Sequence, residues 1–251
     1  MWISDHPRWA RTSVRFGIDS AAAILQRSQH LTAVVQRLLL TKIAVGLLAI
    51  TIGSLAFDGQ RMLAAAQAYG ARAVAGATSL HQLITQGSRA TDESRVRATN
   101  QFFNDTIQFV SDEEVWGQAD YWASPLEMLG KGAGDCEDFA MGKYFSLLAM
   151  GMPPSRLRMV YVKAMLDGPG GQAQAHMVVA YYPAPGAEPL ILDNLATEVL
   201  PASRRADLIP VFSFNSEGGV WNGVSGQGTP ETYSRLSKWR GALARSRAQG
   251  F

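Results

Sequence analysis

The sequence predicts an α+β domain, on three observations: an apolar helical pattern that begins at Cys136, short β-branched and aromatic runs after it, and glycine- and proline-rich turns between those runs. A helix followed by strands in series packs on an antiparallel sheet, whereas a parallel sheet needs helices and strands in alternation. At 251 residues, 47% of them hydrophobic, the chain can bury one substantial core, and one domain with an N-terminal extension accounts for its length.

The first element is a leader. Of 23 basic and 21 acidic residues, six and two fall in residues 1–42, which leaves a near-neutral body of 17 and 19. That balance, with no basic stripe interleaved with aromatics, argues against a nucleic-acid surface. Residues 43–57 carry no charge, Arg37 and Lys42 precede them, and Ser54-Leu55-Ala56 has the small residues of a cleavage site. Residues 1–57 therefore read as an export signal or membrane anchor. The long stretch before the apolar run fits either an anchor or a start codon assigned too early.

Residues 58–99 are rich in Ala, Arg and Gln and punctuated by Gly70, Gly76 and Gly87, which reads as helical pieces connecting the leader to the domain. Phe102, Phe103, Ile107 and Phe109 give residues 96–109 an amphipathic helical pattern, and the aromatic, glycine-punctuated residues 116–122 read as a structured loop. After Gly134, Ala140, Tyr144, Leu147 and Leu148 share one helical face until Gly151 and Pro153-Pro154 stop it, so Cys136 opens a helix of about four turns. Residues 157–164, 176–182 and 189–193 read as strands, with a loop at 167–171 and a turn at 183–186. The domain proper is then 100–217. The tail 218–251, glycine-rich and then basic, takes no assigned role.

Cys136 is the single cysteine, so it has no partner for an internal disulfide. A small core residue is its plainer role, but Gly134-Asp135-Cys136-Glu137-Asp138 is not an apolar setting. At a helix N-terminus the peptide dipoles favour the thiolate, while the flanking carboxylates oppose it, so a histidinium or a bound cation has to offset them. His6 and His30 precede the apolar run and His81 lies in the connecting helices, which leaves His176 as the base. A hairpin centred between Ala184 and Pro185 sets His176 opposite Asp193. One centred between Pro185 and Gly186 leaves the two diagonal on one face. Asp193 takes the orienting role, with Asn194 as the alternative on the opposite face. Backbone amides near Cys136 can receive an oxyanion, and Trp116, Gln118 and Trp122 either assist them or pack the core. Asp135, Glu137 and Asp138 are hard oxygen donors that suit Ca²⁺, or else serve only as helix caps. One cysteine and one usable histidine are too few for a zinc site.

Four motifs carry a family resemblance: Glu114 to Gln118 with Asp120-Tyr121-Trp122, Gly132 to Asp138, Gln174 to Val178, and Leu192 to Leu195. Over residues 100–214 the chain resembles the bacterial transglutaminase-like cysteine proteinase family, and within it the periplasmic proteases that release giant adhesins. The resemblance implies a papain/transglutaminase-like core and a catalytic triad of Cys136, His176 and Asp193 acting through a thiol acyl-enzyme. It assigns an activating calcium to Asp135, Glu137 and Asp138. It also implies cleavage near the N-terminus of a large surface adhesin, which promotes biofilm dispersal, and sequestration by an inner-membrane receptor that binds cyclic diguanylate. Two other readings share these residues: a transglutaminase or amidase acting on cell-wall peptides, and a non-catalytic partner of the membrane receptor.

Overall fold

A computed structural model describes residues 57–166, 171–224, 226–227 and 236–251. The chain divides into units 1–55 and 56–251, and every described residue belongs to the second. The leader read from the sequence lies, apart from Phe57, outside the described residues. Among the described residues no helix is long and apolar enough to cross a membrane.

Helix α1 (Gly59–Ala66) is capped by the Asp58 carboxylate, which accepts from the Arg61 amide. Helix α2 (Ala71–Gly87) runs through Gly76, which the sequence suggested as a break. A Cβ at Gly76 would lie 2.9 Å from Leu129 Cδ2, so this glycine lets α2 pack closely on α5 (Pro125–Lys131). Helix α3 spans Asp92–Thr106 behind a Thr91 cap, four residues earlier than the aromatic pattern indicated. Beyond it the backbone turns extended at Ile107, and β1 (Gln108–Phe109) pairs in parallel with β2 (Ala133–Gly134). Between them come α4 (Asp112–Trp116), a loop through Trp122, and α5, opened by a Ser124–Glu127 capping box with proline in its first turn. Helix α6 covers Cys136–Ala149, and Gly151, at φ +85°, ends it as the sequence indicated.

The main sheet is antiparallel throughout, in the order β6-β5-β4-β3-β7-β8-β9. Its strands are β3 (Leu157–Met165), β4 (Ala173–Tyr181), β5 (Leu190–Leu192), β6 (Leu200–Pro201), β7 (Leu208–Phe214), β8 (Val220–Asn222) and β9 (Gly226–Gln227). Strand β7, absent from the sequence reading, contains Pro210, which the ladder accommodates at a register shift between Tyr161 and Val162. One buried cluster joins Met62, Leu80 and Ile84 of α1 and α2, Phe103 of α3, Leu126 of α5, Phe145 of α6 and Met177, Val179 and Phe214 of the sheet. Trp239 and Ala242 of α7 (Ser237–Ala248) complete it, so segments on both sides of residues 100–217 share the core.

Candidate active site

Cys136 is the first residue of α6, after an extended Asp135 whose side chain caps nothing. Gly134 is required here, because a Cβ would stand 2.7 Å from Asp138 Oδ2. The ladder between β4 and β5 stops at Val179–Leu192, while β4 stays paired with β3 along its whole length, and Cys136 of α6 lies at the stretch of β4 beyond the β5 ladder. There the thiol lies close enough to the Met177 amide, next in sequence to His176, for that amide to favour the thiolate. On its other side the thiol donates to Glu137 Oε2 at 3.1 Å. Burial, then the charge and hydrogen bond of Glu137, then Asp135 push the thiol well above its ordinary pKa, against the Met177 amide.

The hairpin register is the one centred between Pro185 and Gly186, with Ala180 opposite Ile191 and Tyr181 opposite Leu190. His176 and Asp193 are therefore diagonal, and they meet beyond the end of β5. His176 Nε2 lies 2.7 Å from Asp193 Oδ1, both side chains buried. Every polar atom of Asp193 has a partner. Oδ1 also accepts from the Leu195 amide at 3.0 Å, and Oδ2 accepts from Arg205 Nη2 at 2.6 Å. The Asp193 amide donates to Asn100 Oδ1 at 3.0 Å, and its carbonyl accepts from Asn104 Nδ2 at 2.9 Å. Behind Asn104 the buried Lys143 donates to Asn104 Oδ1 at 2.8 Å. Burial raises the cost of charge on Asp193, yet the bond and charge of His176, the Leu195 amide and Arg205 together hold it below the usual carboxylate range. Burial lowers Lys143 to about 7, with Asp193 acting in the opposite direction. Asn194, next in sequence, has a buried Oδ1 without a hydrogen-bond partner among the described residues and does not reach His176.

The acidic cluster is built differently from the sequence expectation. Asp135 and Glu137 come within 4.8 Å of each other and of the Cys136 sulfur, but Asp138 does not join them in one set. Carboxylate oxygens of Asp112, Asp135 and Asp138 lie within 4.8 Å of one another, and so do those of Asp112, Asp120 and Glu137. Asp112, which the sequence reading missed, joins the two sets. It opens α4, where an acidic residue is an ordinary helix start, so the sequence carries no separate signal for it. One oxygen of Asp112 accepts from the Tyr121 amide and one of Asp138 accepts from the Ala123 amide at 2.7 Å. Their other oxygens, Asp112 Oδ1 and Asp138 Oδ2, are buried without hydrogen-bond partners among the described residues, as is Asp135 Oδ1. Burial first, then neighbouring carboxylates, raises Asp112 to about 6 and Asp135 to about 9, and burial lifts Asp138 well above its ordinary value. Unpartnered buried carboxylate oxygens at this spacing fit a hard divalent cation such as Ca²⁺.

Of the residues considered for the oxyanion, Trp122 stacks on Phe214 and gives its indole N–H to Asp120 Oδ1 at 2.9 Å, a packing role. Trp116 rests against Tyr121 and keeps a buried indole N–H without a hydrogen-bond partner among the described residues. Gln118 is exposed.

A thiol at a helix N-terminus, seated against the strand that carries His176, with that histidine paired to an aspartate just past the neighbouring strand, is an arrangement compatible with a papain/transglutaminase-like thiol hydrolase. The chain belongs to the bacterial transglutaminase-like cysteine proteinase family, whose description matches residues 75–208. Its fold is similar to that of Legionella pneumophila LapG, at 36% identity over 76% of this chain and 97% of that one, with a TM-score of 0.64. A calcium-bound structure of the same Legionella protein matches at 36% identity over 75% and 98%, with a TM-score of 0.62. An EGTA-treated one matches at 35% over 76% and 98%, with a TM-score of 0.64. Comparison with curated proteins gives no match.

Proposed function

We propose that this protein is a calcium-dependent periplasmic endopeptidase that cuts the N-terminal region of a large surface adhesin and so frees cells from a biofilm. The observation that carries the reading is the Cys136 thiol against β4, beside a buried His176–Asp193 pair. Because Nε2 of His176 is engaged by Asp193, its Nδ1 is the nitrogen that takes the Cys136 proton. The thiolate attacks the scissile carbonyl, backbone amides at the start of α6 receive the oxyanion, and His176 returns the proton to the leaving amine. Water then gives a proton to His176 and hydrolyses the thioester. Asp193 holds the tautomer and the charged imidazole through both steps.

Asp112, Asp135 and Asp138, with Glu137 and Asp120 at their edge, would hold the calcium. When bound, it supplies positive charge that offsets the carboxylates around the thiol. The similarity to a protein whose calcium-bound and EGTA-treated forms are both known supports that assignment. The family resemblance supports an inner-membrane receptor for cyclic diguanylate as the partner that withholds the protease. Residues 1–57 would serve as its export signal or anchor.

The test is incubation of the purified protein with N-terminal fragments of large adhesins, in calcium and in EGTA, beside Cys136→Ala. Cleavage at one site in calcium only, absent in the folded Cys136→Ala variant, is the expected outcome. Turnover by Cys136→Ala would remove the thiol mechanism, and transfer of an added amine to the fragment without cleavage would make the protein a transglutaminase.

A further inference from the structure

Arg205 lies outside all four motifs that carry the family resemblance, in the connection between β6 and β7. Its side chain is 6% exposed and makes two ion pairs. Nη2 reaches Asp193 Oδ2 at 2.6 Å and Asp207 Oδ2 at 2.8 Å, while Nε reaches Asp207 Oδ1 at 3.0 Å. The guanidinium is thus gripped as a fork by Asp207 and presents one nitrogen to Asp193. It borders an apolar pocket lined by Val160, Val162, Val178, Ile191 and Leu208, so its pairing with the buried Asp193 takes place in surroundings of low dielectric constant, whereas Asp207 is 36% exposed.

The terminal torsion of an aspartate is broad, so the two bonds at Oδ1, from His176 and the Leu195 amide, still leave the other oxygen free to swing about it. A bond to Oδ2 fixes the plane of the group. Oδ1 is the oxygen that meets His176 Nε2, and a carboxylate acceptor there selects the Nε2–H tautomer. A lysine carries the same charge but lacks the planar fork that bridges Asp207 and Asp193.

We propose that Arg205 is a positioning residue of the active site: it fixes the Asp193 carboxylate so that Oδ1 keeps His176 in its Nε2–H tautomer, and Asp207 fixes Arg205 in turn. This rests on the reading of Cys136 and His176 as nucleophile and base, but its principal test does not require turnover. The full protein is labelled with ¹⁵N-histidine, the His176 signals are assigned by loss in His176→Gln, and Arg205→Gln, Arg205→Lys and Asp207→Asn are compared with the parent.

The parent should show a single Nε2–H tautomer. Arg205→Gln should show a mixture of tautomers, with kcat lowered by about ten- to a hundredfold and KM within about twofold of the parent. Arg205→Lys should recover part of both effects, and Asp207→Asn should move both the same way by less. A folded Arg205→Gln that keeps one tautomer, with a lower melting temperature as its sole defect, overturns the proposal and leaves Arg205 a structural ion pair. If Arg205→Gln does not fold, Asp207→Asn decides: mixed tautomers support the proposal and an unchanged spectrum overturns it. Absence of peptidase activity in the parent would count against the proposed function, while the tautomer measurement would still decide the part played by Arg205.

Discussion

The two halves of the site are satisfied to opposite degrees. Around His176 and Asp193 the chain supplies a partner for every polar atom of the aspartate, from Asn100, Asn104, Leu195, His176 and Arg205. Around Cys136 it gathers Asp112, Asp135, Glu137 and Asp138 and leaves three buried carboxylate oxygens without hydrogen-bond partners among the described residues. The base half is held by protein contacts alone. In the nucleophile half Lys238 pairs with Asp120, but Asp112, Asp135 and Asp138 have no ion-pair partner among the described residues, and burial and the carboxylates drive the thiol away from the reactive thiolate.

The sharpest way to break the base half is Asp193→Asn, which keeps the shape but offers an amide where His176 needs an anionic acceptor. Turnover should fall by roughly two to four orders of magnitude. Asn194→Ala, one residue on, should change it by less than about threefold, since Asn194 does not reach His176. Steady-state kinetics on a cleaved adhesin fragment checks both, and a reversal of the two effects would move the orienting role to Asn194.

The nucleophile half should respond to calcium. Asp112→Asn, which removes the carboxylate common to both oxygen sets, should weaken calcium binding by at least about tenfold in calorimetry and raise the calcium needed for activity in parallel. Calcium binding should also release protons. Asp135, raised to about 9, retains near neutral pH a proton that the unfolded chain loses above its ordinary value of 3.8. The metal-free fold therefore binds more protons than the unfolded state across that interval, and its stability falls as pH rises. The gain in melting temperature from calcium should grow over the same interval, and calorimetry in buffers of different ionisation enthalpy should show at least about one proton released at pH 7. A gain independent of pH would show that these carboxyls are ionised before calcium arrives.

A smaller effect belongs to the base half. Lys143, lowered to about 7 from 10.5, is protonated in the unfolded chain over a range where the fold holds it neutral, so stability should rise with pH from about 7 to about 10. Lys143→Met should flatten that rise in thermal melts run in saturating calcium.

How much of this was legible in the sequence follows from the range of the interactions. The helix from Cys136 and its stop at Gly151 are local, written in apolar spacing and in Gly and Pro. The hairpin that joins His176 to Asp193 is local too, its register narrowed to two choices by the turn residues. Asn100, Asn104 and Arg205 were not legible, because Asn100 and Asn104 lie about ninety residues from Asp193 and Arg205 bonds it from the end of a short 3-10 turn between β6 and β7. Asp112 looked like any helix start, and Gly76 looked like a break until Leu129 packed against it. Lys143 did carry a signal, since it stands seven residues after Cys136 and interrupts an apolar helix that has no other basic residue.

The most direct test of the contrast between the halves is the rate at which a neutral alkylating agent modifies Cys136 near pH 7, with calcium titrated from excess EGTA to saturation. The rate should rise in step with calcium occupancy in the parent protein, and in Asp112→Asn the rise should move to higher calcium. It should also persist in Asp193→Asn, whose nucleophile half is intact. An alkylation rate that stays constant while calorimetry shows calcium binding would contradict the account, because the acidic cluster would then bind its ion without governing the thiol.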